Sequence, residues 1–328
     1  MRFLTNNFLI LVASGQLLVS QSNVGIIASG YIDPSVVVLA PGQVTTLYLR
    51  GVKSTIPQSN AATAFPLPTV MSGLSITIRQ FSNVDPIPIP ILAVNQLQRA
   101  CPGSRPLDPT TDPCRVVAVT IQVPTDGLSI PRPFSTPDPN RHQELVVSEN
   151  GSPSPGFAYA IHNDNIHVVT VCEPTQASKD ADCSPQIRHA DGKVVDPYNP
   201  ALPGETIVVY ALGLGGTNPS VSAGSISPLP PATTVLPLGL YLNFAANAPP
   251  SRLGPASATM IIERAEFAGL TPGYAGLYQV NFKVPEPPPG TPACLSTGVQ
   301  TNVTVTLSGY DSFDGARFCV KVPDPQQQ

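Results

Sequence analysis

The chain has 328 residues, of which 40 are proline and only 12% are charged, with a formal net charge of −4. Because a proline inside a helix costs about 3 kcal/mol, this density nearly excludes long helices and favours strands and loops. The 17 basic and 21 acidic residues include no Lys/Arg cluster, which argues against a nucleic acid or an anionic membrane surface as the partner.

Residues 1–22 are predicted to be a secretory signal peptide. Arg2 precedes a short apolar stretch from Phe8 to Val12, and small and polar residues follow it. A buried or frayed N-terminal strand is the alternative for this segment. Because no later stretch reaches the ~20 apolar residues of a membrane helix, we expect an exported protein without a membrane span.

Alternating apolar and polar residues predict strands with one buried and one wet face in three segments, "LSITIRQ", "LYQVNFKV" and "NVTVTLSG". Their expected buried residues are Leu74, Ile76 and Ile78, then Tyr278, Val280, Phe282 and Val284, then Val303, Val305 and Leu307. Strands of this kind form antiparallel sheets that pack face to face. The sequence therefore predicts an all-β protein of antiparallel β-sandwiches with long Pro-rich loops.

The six cysteines predict structural disulfides and an oxidising compartment. None of them shows the C-x-x-C spacing of a zinc site or a redox motif. Sequence alone leaves 15 connectivities open. We favour sequential pairing because each pair then brackets a loop or a hairpin, which gives Cys101–Cys114, Cys172–Cys183 and Cys294–Cys319.

The segment "IHNDNIHVV" places His162 and His167 on either side of Asp164. Residues five apart on one strand point to opposite faces, so both imidazoles reach one ion only if 163–165 forms a tight turn. We interpret the segment as a hairpin between "FAYAI" and "HVVTV", with a weak metal site as the alternative.

Later in the chain, "YDSFDGARF" places Asp311 and Asp314 before Gly315. Asp-Gly is first a hairpin turn signal, and calcium requires more oxygen ligands than two carboxylates supply. A weak calcium site near Asp311 and Asp314 remains the alternative. "HADG" at 189–192 is interpreted as a polar turn in the same way.

The glycine-rich "YALGLGGTNP" at 210–219 is not typical of a phosphate-binding loop. A dinucleotide loop needs a third glycine that opens a helix, and here Asn218 and Pro219 stand at that point. We expect Gly213, Gly215 and Gly216 to adopt positive φ in a turn or bulge that leaves a strand. The sequence predicts no catalytic, cofactor-binding or metal-binding residues and no cofactor.

Similar motifs recur at a nearly constant offset, which predicts a tandem duplication. "APGQVTTLYLRG" and "LPGETIVVYALG" place their prolines at Pro41 and Pro203, and "VTIQVP" from Val119 matches "VNFKVP" from Val280. A weaker pair is "ELVVSENG" with "NVTVTLSG". The expected organisation is a first sandwich unit at 23–172, a linker at 173–188, a second unit at 189–323 and a tail at 324–328.

The second unit resembles the Solibacter-type C-terminal domain family, uncharacterised domains in exported proteins of soil acidobacteria. The resemblance rests on "HADGKVVDPYNPALPGETIVVYALGLGGTNP" and "FAGLTPGYAGLYQVNFKVP", and covers roughly 189–322. The first unit fits more loosely through "PGQVTTLYLRG" and "VTIQVP". The resemblance implies two tandem immunoglobulin-like β-sandwiches on a bacterial extracytoplasmic protein, and it brings no catalytic residues.

The expected function is a non-enzymatic secreted or cell-surface protein with an adhesion, envelope-structural or spacer role. The alternative is a carbohydrate-binding or other ligand-recognition module that uses its tyrosines, among which Tyr278 is expected in the core and Tyr274 remains available. No G-x-S-x-G motif is present, which argues against a serine hydrolase. The expected partner is an extracellular protein or polysaccharide, and self-association is a further expectation.

Overall fold

The computed structural model describes residues 21–30, 37–57, 59–82, 84–97, 115–130, 141–171, 184–251 and 260–322. These residues contain strands and no helix, and the strands form several antiparallel sheets. The all-β prediction is therefore confirmed. Two sheets lie in an N-terminal half, residues 21–161, and two lie in a C-terminal half, residues 167–322.

In the N-terminal half one sheet has the order β1-β3-β8-β7, and the other has the order β2-β11-β9-β5-β4 with β6 and β10 as short additions. The strands are β1 (Gly25–Ser29), β2 (Val37–Leu39), β3 (Val44–Arg50), β4 (Val70–Met71), β5 (Leu74–Phe81), β6 (Ile87–Pro88), β7 (Ile91–Leu97), β8 (Val116–Gln122), β9 (Arg141–Glu149), β10 (Ser152–Pro153) and β11 (Phe157–Ile161). Both sheets contribute to one cluster of buried apolar side chains.

In the C-terminal half the sheets have the orders β12-β14-β20-β19-β16-β15, with β13 added to β14, and β18-β17-β21-β22. The strands are β12 (His167–Val168), β13 (Ile187–His189), β14 (Thr206–Leu212), β15 (Thr217–Asn218), β16 (Thr233–Thr234), β17 (Gly239–Asn243), β18 (Met260–Glu263), β19 (Phe267–Leu270), β20 (Tyr278–Lys283), β21 (Val303–Ser308) and β22 (Phe313–Phe318). A second buried cluster lies between these two sheets.

The predicted one-sided burial is confirmed for β5 and β20, whose expected apolar residues are 0–1% exposed. It is wrong for β21, where Thr304 and Thr306 are also buried. The segment 248–251 covers that face, because the Thr304 hydroxyl donates to the Ala248 carbonyl and Thr306 Oγ1 accepts from the Ser251 amide. Satisfied hydroxyls therefore let a polar face lie inside.

Strands that carry the recurring motifs pair in the same register in both halves. The equivalent partners are Leu47–Val119 and Val209–Val280, Ile76–Val147 and Leu242–Val305, and Leu145–Phe157 and Val303–Phe318. Parallel contacts also recur, between Leu39 and Ile161 and between Ala201 and Val320. The recurrence in sequence thus corresponds to a recurrence of strand pairing.

The chain passes from one pair of sheets to the other at residues 162–166. Strand β11 pairs within the N-terminal half, whereas β12 pairs with β14 of the C-terminal half. The end of the predicted first unit therefore contributes a strand to the second pair of sheets. Most of the predicted 173–188 linker, like residues 1–20 of the predicted signal peptide, lies outside the described residues.

A disulfide joins Cys294 to Cys319, as the sequential pairing predicts. It connects the loop before β21 to the residue that follows β22. Cys319 is fully buried, so the bond fixes the end of β22 to the core of the C-terminal half. The other four cysteines, Cys101, Cys114, Cys172 and Cys183, lie outside the described residues, and their pairing stays a prediction.

Candidate functional site

The junction segment, residues 162–166, is held to the loop 309–312 by one buried carboxylate. Asp164 is 2% exposed. Its carboxylate accepts hydrogen bonds from the backbone amides of Tyr310 at 2.5 Å and Asp311 at 3.1 Å, and from the amide of Ser312 at 2.8 Å. The Ser312 hydroxyl donates to the same carboxylate at 2.6 Å. Both oxygens of Asp164 are thus occupied by donors of one loop.

The loop and the start of β22 in turn supply acceptors to the junction segment and to β12. Asp311 Oδ2 accepts the Asn163 backbone amide at 2.6 Å and its side-chain amide at 2.9 Å. Asp314 Oδ2 accepts the Val168 amide at 2.8 Å and lies 3.2 Å from Nδ1 of His167. Each side of this contact thus both donates and accepts hydrogen bonds. Together these bonds hold the chain in place where it enters the C-terminal half.

The two candidate metal segments are therefore neighbours, but neither forms the predicted turn. The hairpin expected at 162–167 is wrong, because β11 and β12 pair in different sheets. The turn expected at Asp314–Gly315 is also wrong, since both residues lie in β22 opposite Leu307 and Thr306. That hairpin turns at 309–312 instead, where the Gly309 amide donates to the Ser312 carbonyl.

The carboxylates of the junction bind backbone amides rather than pointing at a common centre. In the part of the chain that the structure describes, no group of three or more His, Cys, Asp or Glu side chains has the arrangement of a metal site. The backbone amide of His162 donates to the Leu39 carbonyl in the N-terminal half. The observed role of Asp164, Asp311 and Asp314 is to join loops.

A second set of contacts joins the halves away from the junction segment. Gln122 is buried at the end of β8, and its Oε1 accepts the Gly224 amide at 2.7 Å. The Leu67 amide donates to the Gly224 carbonyl at 2.7 Å, and the Thr125 hydroxyl donates to the Val221 carbonyl at 3.0 Å. The end of β8 and two loops of the N-terminal half thus contact the loop 220–224. We call this contact between the halves the seam.

The two halves also approach each other closely at Gly276, which has φ +65°. A Cβ at this position would lie 2.9 Å from both the Gly42 carbonyl oxygen and Nε2 of Gln122. Real Cβ atoms do not come so near to backbone oxygen, so only glycine fits between the halves here.

The loop "GLGG" after β14 belongs to the same interface. Gly213 and Gly215 adopt positive φ, which confirms the predicted strand exit, whereas Gly216 does not share this conformation. A Cβ on Gly213 would collide with the Asn165 carbonyl of the junction segment. The buried hydroxyl of Tyr278 donates to the Gly215 carbonyl, and burial raises the pKa of Tyr278 well above its ordinary value. Tyr278 therefore lies in the core, as predicted.

In comparison with known proteins, no family model matches the chain and no curated protein matches it. The resemblance of the second unit to the Solibacter-type family therefore stays a prediction that rests on its motifs.

The far end of the C-terminal half carries a cavity of about 480 Å³. It is lined by His189, Ala190, Asp191, Lys193, Asn199, Pro200, Leu202, Glu205 and Lys321. The predicted "HADG" turn forms part of its wall and is confirmed by the hydrogen bond from the Gly192 amide to the His189 carbonyl. Sequence reasoning identified this turn but not the cavity, because Glu205 just before β14 and Lys321 after β22 also line it.

Three tyrosines of the C-terminal half have exposed rings. They are Tyr198, which precedes Asn199 of the cavity wall, Tyr274 on the loop before β20 and Tyr310 on the loop 309–312. Tyr198 is the most exposed at 87%. Among the described residues, no helix is long and apolar enough to cross a membrane.

Proposed function

We propose that the protein is a non-enzymatic exported or cell-surface protein, built from two tandem immunoglobulin-like β-sandwiches, that serves adhesion, envelope structure or spacing. The equivalent strand registers in the two halves support the duplication. The Cys294–Cys319 disulfide supports an oxidising compartment. The motif resemblance of the second unit to exported bacterial domains supports the same location.

The observation that carries this proposal is the fixed geometry between the halves. A flexible linker would let two domains move independently, which is the default for small polar interfaces. Here the connection is five residues long, and Asn163, Asp164 and Asn165 each form hydrogen bonds with one of the halves. The seam adds buried contacts of Gln122 and Gly276. A protein that holds two ends at a constant separation needs such a connection.

A non-enzymatic role is further supported by how the acidic side chains are used. Enzymes that act through carboxylates keep at least one of them free in a cleft and shift its pKa. Asp164 and Asp311 instead accept backbone amides, and Asp314 accepts an amide and faces His167. At least one oxygen of each of these carboxylates is therefore engaged in holding another segment of the chain.

Small-angle X-ray scattering on the exported, purified protein tests the fixed geometry. We expect scattering that one arrangement of the two halves fits, in low and in high salt. The Asp164→Ala variant serves as the loosened comparison and is expected to need an ensemble of arrangements. A wild-type protein that already requires a broad ensemble would contradict the spacer role.

Co-sedimentation with insoluble polysaccharides and cell-envelope fractions tests adhesion. Saturable retention on envelope fractions is the expected result. Turnover of a glycan or peptide substrate by the purified protein would contradict the non-enzymatic assignment.

The alternative, a carbohydrate-recognition protein, is favoured by one observation. An exposed aromatic ring beside a polar cavity is the usual arrangement for sugar binding, and Tyr198 adjoins Asn199 of the cavity wall. Retention on a single polysaccharide, insensitive to salt, would favour this alternative.

A further inference from the structure

One turn occurs twice in the protein with the same hydrogen bonds. At Ala40–Gln43 the Ala40 amide donates to Oε1 of Gln43 at 2.9 Å, and the Gly42 amide donates to the Val123 carbonyl at 3.0 Å. At Leu202–Glu205 the Leu202 amide donates to Oε1 of Glu205 at 2.8 Å, and the Gly204 amide donates to the Val284 carbonyl at 2.7 Å. Gln43 and Glu205 are therefore equivalent positions.

The surroundings of the two turns differ. The first turn is covered by the C-terminal half, since a Cβ on Gly42 would lie 3.2 Å from the Tyr278 hydroxyl oxygen. The second turn is open, and nothing lies within 4 Å of a Cβ on Gly204. The first turn thus contacts the C-terminal half. The equivalent second turn contributes Leu202 and Glu205 to the wall of the open cavity.

The change from amide to carboxylate gives the open turn a charged partner. Oε1 of Glu205 lies 2.9 Å from Nδ1 of His189, and the other ring nitrogen of His189 lies 3.2 Å from the Asn199 carbonyl oxygen. Both ring nitrogens face oxygen atoms, so the imidazole is fixed in orientation. The Glu205 carboxylate is thereby paired.

The two lysines that line the cavity, Lys193 and Lys321, differ in their ion-pair partners. Asp191 pairs with Lys193 at 2.7 Å, and this hydrogen bond lowers the pKa of Asp191 and raises that of Lys193. Lys321 lines the same cavity and forms no ion pair with a described residue. Asp191 is thus paired with Lys193 and Glu205 with the His189 imidazole, whereas the Lys321 ammonium group has no ion-pair partner within the described part of the chain.

The size and the lining indicate the ligand. A volume of about 480 Å³ is within the range of small-ligand sites and accommodates one or two sugar residues. Asn199 also lines the cavity, where its side-chain nitrogen donates to the Val194 carbonyl at 3.0 Å and its side-chain oxygen can accept from a hydroxyl group. Tyr198, next to it in the chain, presents an unpacked ring suited to stacking on the C–H face of a pyranose.

We propose that this cavity binds an acidic sugar residue, a uronate of an extracellular polysaccharide, with its carboxylate at Lys321 and its ring against Tyr198. That such a polysaccharide is available to the protein rests on the extracytoplasmic location proposed above. Binding itself depends only on the cavity.

Calorimetric titration of the full chain tests the proposal with oligogalacturonate as the probe. The methyl-esterified oligomer is the matched ligand, since it keeps the sugar and loses the charge. We expect saturable binding of the acid and at least tenfold weaker binding of the ester, in line with the loss of one charge-assisted contact. Equal binding of both oligomers, or no binding of the acid, would overturn the proposal.

Two variants of equal charge change localise the site. Lys321→Gln removes the unpaired ammonium group, and Lys53→Gln removes an exposed lysine from the N-terminal half. We expect about a tenfold loss of oligogalacturonate affinity in the first and no change in the second. Tyr198→Ala is expected to weaken binding of acid and ester by the same factor. Undiminished binding by Lys321→Gln would overturn the site.

A second copy of the chain is the competing occupant of the open turn. Sedimentation equilibrium without sugar distinguishes it from the glycan. Association that disappears in Lys321→Gln, together with absent oligogalacturonate binding, would replace the sugar with a protein partner and overturn the proposal. Because the scattering test of the halves uses neither ligand nor cavity, its result is independent of this one.

Discussion

Asp164 and Ser312 form a two-point contact, in which one carboxylate oxygen accepts both the Ser312 amide at 2.8 Å and the Ser312 hydroxyl at 2.6 Å. These residues are far apart in the chain, yet they connect the junction segment to the loop between β21 and β22. The contact explains why the entry into the C-terminal half and its last hairpin form one structural unit.

Replacing Asp164 with alanine is expected to lower the free energy of unfolding by about 2–4 kcal/mol. The variant leaves the amides of Tyr310, Asp311 and Ser312 without their carboxylate acceptor. Unsatisfied buried donors cost about 1–3 kcal/mol each, offset in part where water enters. Urea unfolding followed by tyrosine fluorescence measures the change. Asp191→Ala, at an exposed carboxylate, is the control and should change stability by less than about 0.5 kcal/mol.

Gly276→Ala is expected to destabilise the contact between the halves, and Gly273→Ala provides a matched control. Both glycines have positive φ, +65° and +81°, so both variants pay about 1–2 kcal/mol for backbone strain. A Cβ at 273 meets nothing within 4 Å, whereas at 276 it lies 2.9 Å from the Gly42 carbonyl oxygen. Calorimetry should show a separate transition for each half only in Gly276→Ala. Identical melting of the two variants would show that the seam does not couple the halves.

Removing the disulfide with Cys294→Ala and Cys319→Ala together is expected to cost about 3–4 kcal/mol by the chain-entropy estimate. The bond closes a loop with a sequence separation of 25 residues and ends on a buried residue, so a small cavity adds to the loss. Thermal unfolding in non-reducing buffer provides the measurement. Wild-type protein treated with a reductant should be no more stable than the double variant, because the reductant also breaks the two other predicted disulfides. A double variant as stable as the oxidised wild type would exclude the bond as a stabilising element.

Stability at alkaline pH should depend on Tyr278. Burial raises the pKa of Tyr278 above its ordinary value of 10.0, so the folded state keeps this proton when the unfolded chain has lost it. The contribution is complete below pH 10 and is lost as the pH rises further. Tyr278→Phe removes this dependence, at the expense of about 1 kcal/mol from the lost hydrogen bond to Gly215. Melting temperatures measured from pH 8 to pH 11.5 should therefore converge. A constant difference over that range would contradict the assignment.

Much of the sheet structure could be predicted because period-two burial is a local property. Val280 and Phe282 of β20, and Ile76 of β5, are buried where the alternation places them. The burial of Thr304 and Thr306 could not be predicted in this way, because the segment that covers them lies more than 50 residues earlier in the chain. The recurring motifs indicated the recurrence of strand pairing for a related reason, because strands with similar sequences pair in similar registers.

The junction could not be predicted, because its partners come from opposite ends of the C-terminal half. Asp164 and Asp311 looked like isolated polar turn residues, and Asp314–Gly315 looked like a hairpin turn. Only the fold shows that these carboxylates meet backbone amides of another loop. A cluster of Asn and Asp between two apolar strands was the available signal, and it indicates loop bracing as readily as it indicates a metal.

At the two equivalent turns the N-terminal half has the neutral amide of Gln43 and the C-terminal half has the carboxylate of Glu205. A third repeat, placed on the second as the second is placed on the first, would bury the pair formed by Glu205 and His189. Removing such charges from water costs several kcal/mol per ion, whereas the neutral amide of Gln43 is fully buried at the existing contact. Duplication of one module could in principle produce an array of any length. At the second turn the Glu205 carboxylate opposes such an addition, because the same packing would remove its charge from water.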